Sequence, residues 1–288
     1  MDYAAVVVLE IIYMISFLVL VSAGLAVVFG MMRVINLAHG EFVMLGGYTT
    51  LACHEAGINI FFAMLVIAPI VVGVIGLIVE RVVIRWLYGR MIDTMLATWG
   101  LSLLFIGLVT LIFGSSAVGI PTPIPGYQMG SYQMGGYNLF IIAVAILLVL
   151  VMWLVLRYTR VGLIARGAMQ GPEVASSLGY NPKTIYMLTF AAGAALSGLA
   201  GGVLAPLTGL LPSSGGAFIA KAFITVITGG AAVIAGLLSS GVLFGAINQL
   251  VSFGSTPVLG EIAMLALAIV LLRLMPQGIT GRFFRNST

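Results

Sequence analysis

Charge is the scarcest property of this 288-residue chain, which holds twelve basic and eight acidic residues, 7% in all, beside two histidines and one cysteine. A soluble domain devotes about 25% of its residues to charge, on the order of 70 at this length. The chain cannot clothe its surface for water, and a soluble globule is excluded. With Cys53 alone, neither an internal disulfide nor a cysteine-built metal site is possible, and the redox compartment stays open. Lys183 follows Pro182 and Lys221 follows Ala220, so no lysine has the preceding glycine that a P-loop requires. Any use of ATP would have to come from a partner. HExxH, GxSxG and cysteine-cluster patterns are missing as well. The chain is therefore not expected to be an enzyme, and no metal and no cofactor is expected. No basic n-region with a cleavage site precedes Arg33, the first basic residue, so the N-terminal stretch is expected to remain as a span. The net charge of +4 reads as a record of membrane orientation, not of a nucleic-acid partner, because no basic face interleaved with aromatics is present.

What the chain has in abundance is apolar surface, 61% of its residues, and 37 glycines. A bilayer core about 30 Å thick takes roughly 20 apolar residues per helix, leaving room for about eight to ten spans. Apolar stretches fall at 5–30, 36–54, 58–79, 94–113, 138–156, 185–205, 217–235, 237–253 and 259–275. The fold expected is an all-α polytopic membrane protein of about nine transmembrane helices, forming one domain over 1–288. Arg81, Arg85 and Arg90 collect in one connection, Arg157, Arg160, Arg166 and Lys183 in another, and Arg273, Arg282 and Arg285 mark the tail. By contrast 114–137 and 207–216 carry no charge. Positive-inside asymmetry makes the basic set, the tail included, cytoplasmic. Nine alternating spans satisfy this, with the N-terminus outside and the turn at Arg33 inside. That count depends on taking 217–235 and 237–253 as two spans joined by a tight turn.

Small residues form two rows, Gly193, Ser197, Gly201 and Ala194, Gly198, Gly202, and Gly241 with Gly245 repeats the spacing. In lipid such rows let helices approach closely. The run Arg33-Val-Ile-Asn36-Leu-Ala-His39-Gly40-Glu41-Phe42 sets polar residues between two apolar stretches, where they are expensive. Two readings stand open: Asn36 caps the second span, Arg33 lies at the interface and Gly40 packs closely, or the cluster lines a path. His39 and Glu41 are two apart and point different ways on a helix, which argues against a metal or catalytic pair. Glu10, inside the first span, is expected to face the bundle or an aqueous vestibule, and Lys221 poses the same problem in the seventh span unless it lies near the outer interface and snorkels. In the connection 157–184, Gly171-Pro172-Glu173-Val174-Ala175-Ser176-Ser177-Leu178-Gly179 has a proline and an acid suited to a helical first turn and a glycine suited to its stop. This is a short displayed helix, either lying at the interface or docking a soluble partner.

At these residues the chain resembles the integral-membrane permeases of ABC importers for branched-chain amino acids, a group that includes urea and short-chain amide permeases. The likeness covers nearly the whole chain. Its most specific part is Gly30-Met-Met-Arg33-Val-Ile-Asn36-Leu-Ala-His39-Gly40-Glu41-Phe42 through Gly46-Gly47-Tyr48. Glu80-Arg81, Leu188-Thr189-Phe190, Lys221-Ala222-Phe223, Gly229-Gly230 and Pro276-Gln277-Gly278 also fit. The chain departs from the family after Gly229-Gly230, where Ala231-Ala-Val-Ile-Ala-Gly236 replaces a common Gly-Ser-x-Pro-Gly-Ala turn. Glu80 to Arg90 and Leu96 to Ser102 look nearer the urea and amide branch.

The resemblance implies an importer permease bundle in the bacterial inner membrane that moves branched-chain amino acids, with urea or a short-chain amide as the alternative substrate and a passive small-solute channel as the alternative of another class. Glu173, Ala175 and Gly179 match the spacing of the motif by which such permeases dock their ATPase. The implied partners are two ABC ATPase subunits, a second related permease and a periplasmic substrate-binding protein, with membrane lipid around them. For the substrate path the residues chosen are Asn36, His39, Ser102 and Asn248. Arg33, Gly40, Glu41, Gly229 and Gly230 are taken as signature and packing positions.

Overall fold

The computed structural model describes residues 2–129, 132–230 and 232–283; Arg285 of the basic tail and Ala231 of the departing turn lie outside the described residues. The apolar runs become helices: α1 (Asp2–Met32), α2 (His39–Glu55), α3 (Ile60–Phe62), α4 (Ala68–Val82), α5 (Met91–Phe113), α6 (Gly136–Tyr158), α7 (Arg160–Gln170), α8 (Pro172–Ser177), α9 (Pro182–Thr208), α10 (Gly215–Gly229), α11 (Val233–Gly254), α12 (Pro257–Leu274) and α13 (Gly278–Phe283). A π-turn over Ala63–Ile67 runs α3 into α4, and a hairpin of β1 (Tyr127–Met129) and β2 (Tyr132–Met134) precedes α6.

All nine apolar stretches are helical. Among the described residues seven helices are long and apolar enough to cross a membrane. The other two stretches make short helices, α2 of 17 residues and α10 of 15. At 1.5 Å per residue these reach only about 25 and 22 Å, less than a bilayer core.

The chain forms two compact units: Ala23–Ile120 with Leu150–Ala220, and Met1–Ser22 with Pro121–Val149 and Lys221–Thr288. In the former, α9 is the centre, packed on α4 and α2 through its small residues. A Cβ on Gly193 would strike Val28 and the Gly24 backbone of α1, one on Gly201 the Val43 carbonyl of α2, and one on Gly198 would come within 2.7 Å of the Val72 Cβ of α4. Helix α2 touches both rows, through Val43 on Gly201 and through Gly46 on Gly198. Phe42 meets Phe105 and Phe190 edge-on at 5.6 and 6.0 Å, closing the core between α2, α5 and α9.

Two connections meet within that unit: Val118 and Leu210 exchange backbone hydrogen bonds of 3.0 and 2.8 Å, joining the two uncharged ones. Tyr88, in the connection before α5, packs on Tyr186 in the first turns of α9 with ring centroids 5.1 Å apart.

In the latter unit α11 packs on α12 and α13. Gly241 and Gly245 let α11 lie against α1, where added Cβ atoms would come 3.1 Å from Val19 and 2.7 Å from Ile15. Glu10 accepts a hydrogen bond from Asn138 Nδ2 at 3.2 Å. Lys221 pairs with Glu261 at 2.6 Å, its ammonium 5.6 Å from the Phe17 ring centroid.

The break between the seventh and eighth stretches differs from the expectation that placed it at 236. Helix α10 stops at Gly229, Gly230 takes φ +88°, and α11 starts at Val233, so Gly236 is already helical. The contact that decides this is tertiary. Thr280 Oγ1 donates to the Gly229 carbonyl at 2.7 Å, holding the turn against α13.

Candidate functional site

The segment between α1 and α2 turns at Arg33, an exposed residue with φ +53°, the only non-glycine residue with positive φ among those described. Asn36 does not cap α2, as one reading of the sequence had it. The helix starts at His39 behind Ala38, without a side-chain cap. Asn36 instead folds the turn before it: its Oδ1 accepts from the Ala38 N–H at 3.1 Å and its carbonyl from the His39 N–H at 3.3 Å. The Leu37 N–H reaches across to Thr98 Oγ1 at 3.1 Å, fixing this turn to α5. Self-bonding of an Asx side chain explains why it stops short of the helix.

His39 lies 3.2 Å from Ser197 Oγ through Nδ1. Ser197 gives its proton to the Gly193 carbonyl at 2.9 Å. The hydroxyl thus bridges α9 to the imidazole at the start of α2. Next along, a Cβ on Gly40 would run into the Gly215 carbonyl, and the Glu41 carboxyl lies at Gly215 itself, 2.7 Å from where a Cβ would stand. The segment after α9 therefore folds back until α10 begins beside the start of α2, about three turns short of α9's end. The Glu41 carboxylate meets the positive end of α10. Ser102 is its hydrogen-bonding neighbour, and Glu41 Oε2 has no partner. Glu41 is 2% exposed and Ser102 8%.

Asn36, His39 and Ser102 thus belong to one unit and are tied together through α2, α5 and α9. Asn248 belongs to the other unit, on α11. It is buried, its carbonyl accepts from Ser252 Oγ at 2.7 Å, and its Nδ2 has no partner. Chemically this is a set of hydrogen-bonding groups. Among the described residues no three His, Cys, Asp or Glu side chains gather as metal ligands.

The displayed helix forms where the sequence places it. Glu173 is exposed in the first turn of α8 and Ala175 is buried. Gly179 takes φ +86°; its N–H donates to the Ser176 carbonyl at 3.0 Å, and that of Tyr180 to the Ala175 carbonyl at 3.1 Å. This pair of bonds is the Schellman closure, which glycine enters without a Cβ penalty. Asn181 Oδ1 then accepts from the Lys183 N–H at 3.0 Å and α9 starts at Pro182. Leu178 and Tyr180 stand exposed beside the turn. The helix packs on α7 and α9, which leaves the Glu173 side open.

Two clusters were missed by sequence reasoning. One is the Thr280 contact on Gly229, with Gly278 at φ +75° packed against Gly230. The other closes the third span. Glu80, 0% exposed, accepts from the Tyr88 hydroxyl and pairs with Arg85 Nη2 at 3.3 Å. Burial, then the neighbouring carboxylate, pushes the Tyr88 phenol well above its ordinary range, so it remains a donor. The spacings of five and eight residues follow from the 3-10 turn Ile84–Leu87, which has no signature of its own.

Residues 7–275 match the family described as "Branched-chain amino acid transport system / permease component". The chain is 31% identical over 287 residues to the high-affinity branched-chain amino acid transport system permease protein BraD of Pseudomonas aeruginosa, covering 91% of each chain. It is 29% identical over 279 residues to the corresponding LivH proteins of Escherichia coli (strain K12) and Salmonella typhimurium, again covering 91% of each. No solved structure matches the chain.

Proposed function

The chain belongs to the permease-component family of branched-chain amino acid transport systems, and we propose that it is one permease half of an ABC importer that carries branched-chain amino acids across the bacterial inner membrane. The observation that carries this reading is the family match along 7–275, spanning the polar segment and the displayed helix alike. Energy is supplied by two separate ATPase subunits, since the chain has no P-loop lysine. A second permease completes the pathway and a periplasmic binding protein delivers substrate. The tail is cytoplasmic, in line with its arginines, and residues 1–288 act as one translocation domain.

In this reading α8 is the ATPase docking helix. Exposed Glu173 offers a charge to the partner, buried Ala175 lets the helix seat closely, and Gly179 closes it. Movement there shifts the bundle between outward- and inward-open states, each stabilised by different contacts. Asn36, His39, Ser102 and Asn248 line the path. Buried polar groups at membrane depth are costly and are retained where a polar solute passes; Asn248, with a free amide nitrogen, is one. Binding-protein selectivity lets the lining stay mildly polar.

The test is uptake in proteoliposomes holding the assembly purified through this chain. Labelled leucine should accumulate only with ATP and binding protein present. Urea uptake in its place would move the chain to the amide branch, and ATP-independent flux would make it a channel. Alanine at each of the four lining positions should alter uptake while the ATPases stay bound, and normal uptake by all four variants would remove them from the path.

A further inference from the structure

Glu80 is fully buried at the end of α4, and nothing in the transport reading uses it. A carboxylate in an apolar bundle is costly unless its partners are built in, and both partners here come from the next connection, Tyr88 and Arg85. Each of those also touches the first turns of α9. Arg85 Nη2 lies 3.4 Å from Met187 Sδ, and the Tyr88 ring sits edge-on to Tyr186 with centroids 5.1 Å apart. Tyr186 and Met187 are the fifth and sixth residues of α9, so they follow the Gly179–Asn181 stop of α8 by about one turn. Higher up, α4 and α9 are joined again: Gly76 abuts Ala194, and a Cβ on Gly73 would stand 3.1 Å from that of Ala195. The pair is thus fastened along its length and clipped at the end nearest α8.

We propose that Glu80, Arg85 and Tyr88 are positioning residues that clasp α4 to the start of α9, so that displacement of α8 moves α4 and α9 together toward the path. The inference rests on the reading of α8 as the docking helix. A clip that served stability alone would change how much folded complex accumulates; a clasp in the coupling route changes how much transport each hydrolysed ATP yields.

The experiment measures ATP hydrolysed per labelled leucine imported, in proteoliposomes of the complex isolated with its own ATPases and supplied with binding protein. Tyr88→Phe removes the hydroxyl bond to Glu80 and keeps the ring on Tyr186. Tyr186→Leu removes the ring contact and leaves the buried acid paired. Each should raise the ratio about threefold or more, the size of effect that positions along a coupling route exert, with ATPases recovered in wild-type amount. An unchanged ratio, or hydrolysis and uptake falling in proportion, overturns the clasp. Should Tyr88→Phe fail to accumulate, Tyr186→Leu alone decides. A wild-type preparation without ATPases overturns the docking reading itself, an outcome distinct from an unchanged ratio.

Discussion

Helices α9 and α12 are both long and apolar enough to span a bilayer, yet they are built for opposite surroundings. In the most apolar stretch of α9, 61% of residues are buried; in that of α12, 17% are. Helix α9 achieves this with small residues, its Gly193, Ser197, Gly198, Gly201 and Gly202 each pressed on a neighbouring helix. Helix α12 leaves Val258, Ile262, Leu265 and Ile269 exposed. Apolarity alone does not mark the inside of a membrane protein, because lipid is as apolar as leucine and helices gain by packing instead. Smallness marks it. Polar residues follow the same division: Ser197, buried on α9, holds His39, whereas Glu261 on α12 is half-exposed and pairs with Lys221.

The largest test of this contrast sets two acids against each other. Glu80→Ala strips Tyr88 and Arg85 of their buried partner and should cost about 3–5 kcal/mol, the usual price of breaking a buried pair. Glu261→Ala breaks a pair whose acid is 53% exposed, and about 0–1 kcal/mol is expected. Thermal unfolding of the two purified variants in one detergent separates them, and equal shifts would erase the distinction between the regions. A smaller effect comes from one chemical change made twice. Gly201→Ala drives a methyl into the Val43 carbonyl and should cost about 1–3 kcal/mol or more, as overpacking does. Gly107→Ala on α5, where an added Cβ meets nothing within 4 Å, should stay within about 0.5 kcal/mol.

The smallest expected effect is none. The phenol of Tyr88 is raised above its ordinary value by burial and by Glu80. A raised phenol contributes stability that is complete below its unfolded pKa, about 10, and is lost only as pH climbs through the still higher folded value. Wild type and Tyr88→Phe should therefore keep a constant difference in thermal stability from about pH 6 to 9; a difference that shrinks as pH rises across that window would show that the phenol is not held as a donor.

Much of this fold was legible because apolar runs, glycine rows and capping residues act locally. Every apolar stretch became helix, and Pro172 with Gly179 bracketed α8 because a missing N–H and a positive φ are properties of single residues. Contacts settled by distant chain were illegible. The break expected at Gly236 falls instead at Gly229 and Gly230, where Thr280, some fifty residues on, holds it. Asn36 had the composition of a cap, but its side chain was satisfied two residues ahead of the helix. The shortness of α2 and α10 was hidden too, since apolar flanks extended both runs. Within the candidate site, the polar segment and the displayed helix were visible as residue patterns, whereas Glu80's partners depended on a turn without a signature. The Glu41 contact at Gly215 was equally hidden, because it requires the chain to fold back after α9.

The central claim is that α8 docks an ATPase, and the most direct measurement is mass spectrometry of what co-purifies with the tagged chain from its native membrane in mild detergent, wild type beside Glu173→Arg. The account predicts that the wild-type chain brings down ABC ATPases and a second permease, and that Glu173→Arg keeps the permease partner and loses the ATPases. Recovery of the wild-type chain alone, intact across several detergents, or of undiminished ATPase with Glu173→Arg, would contradict it.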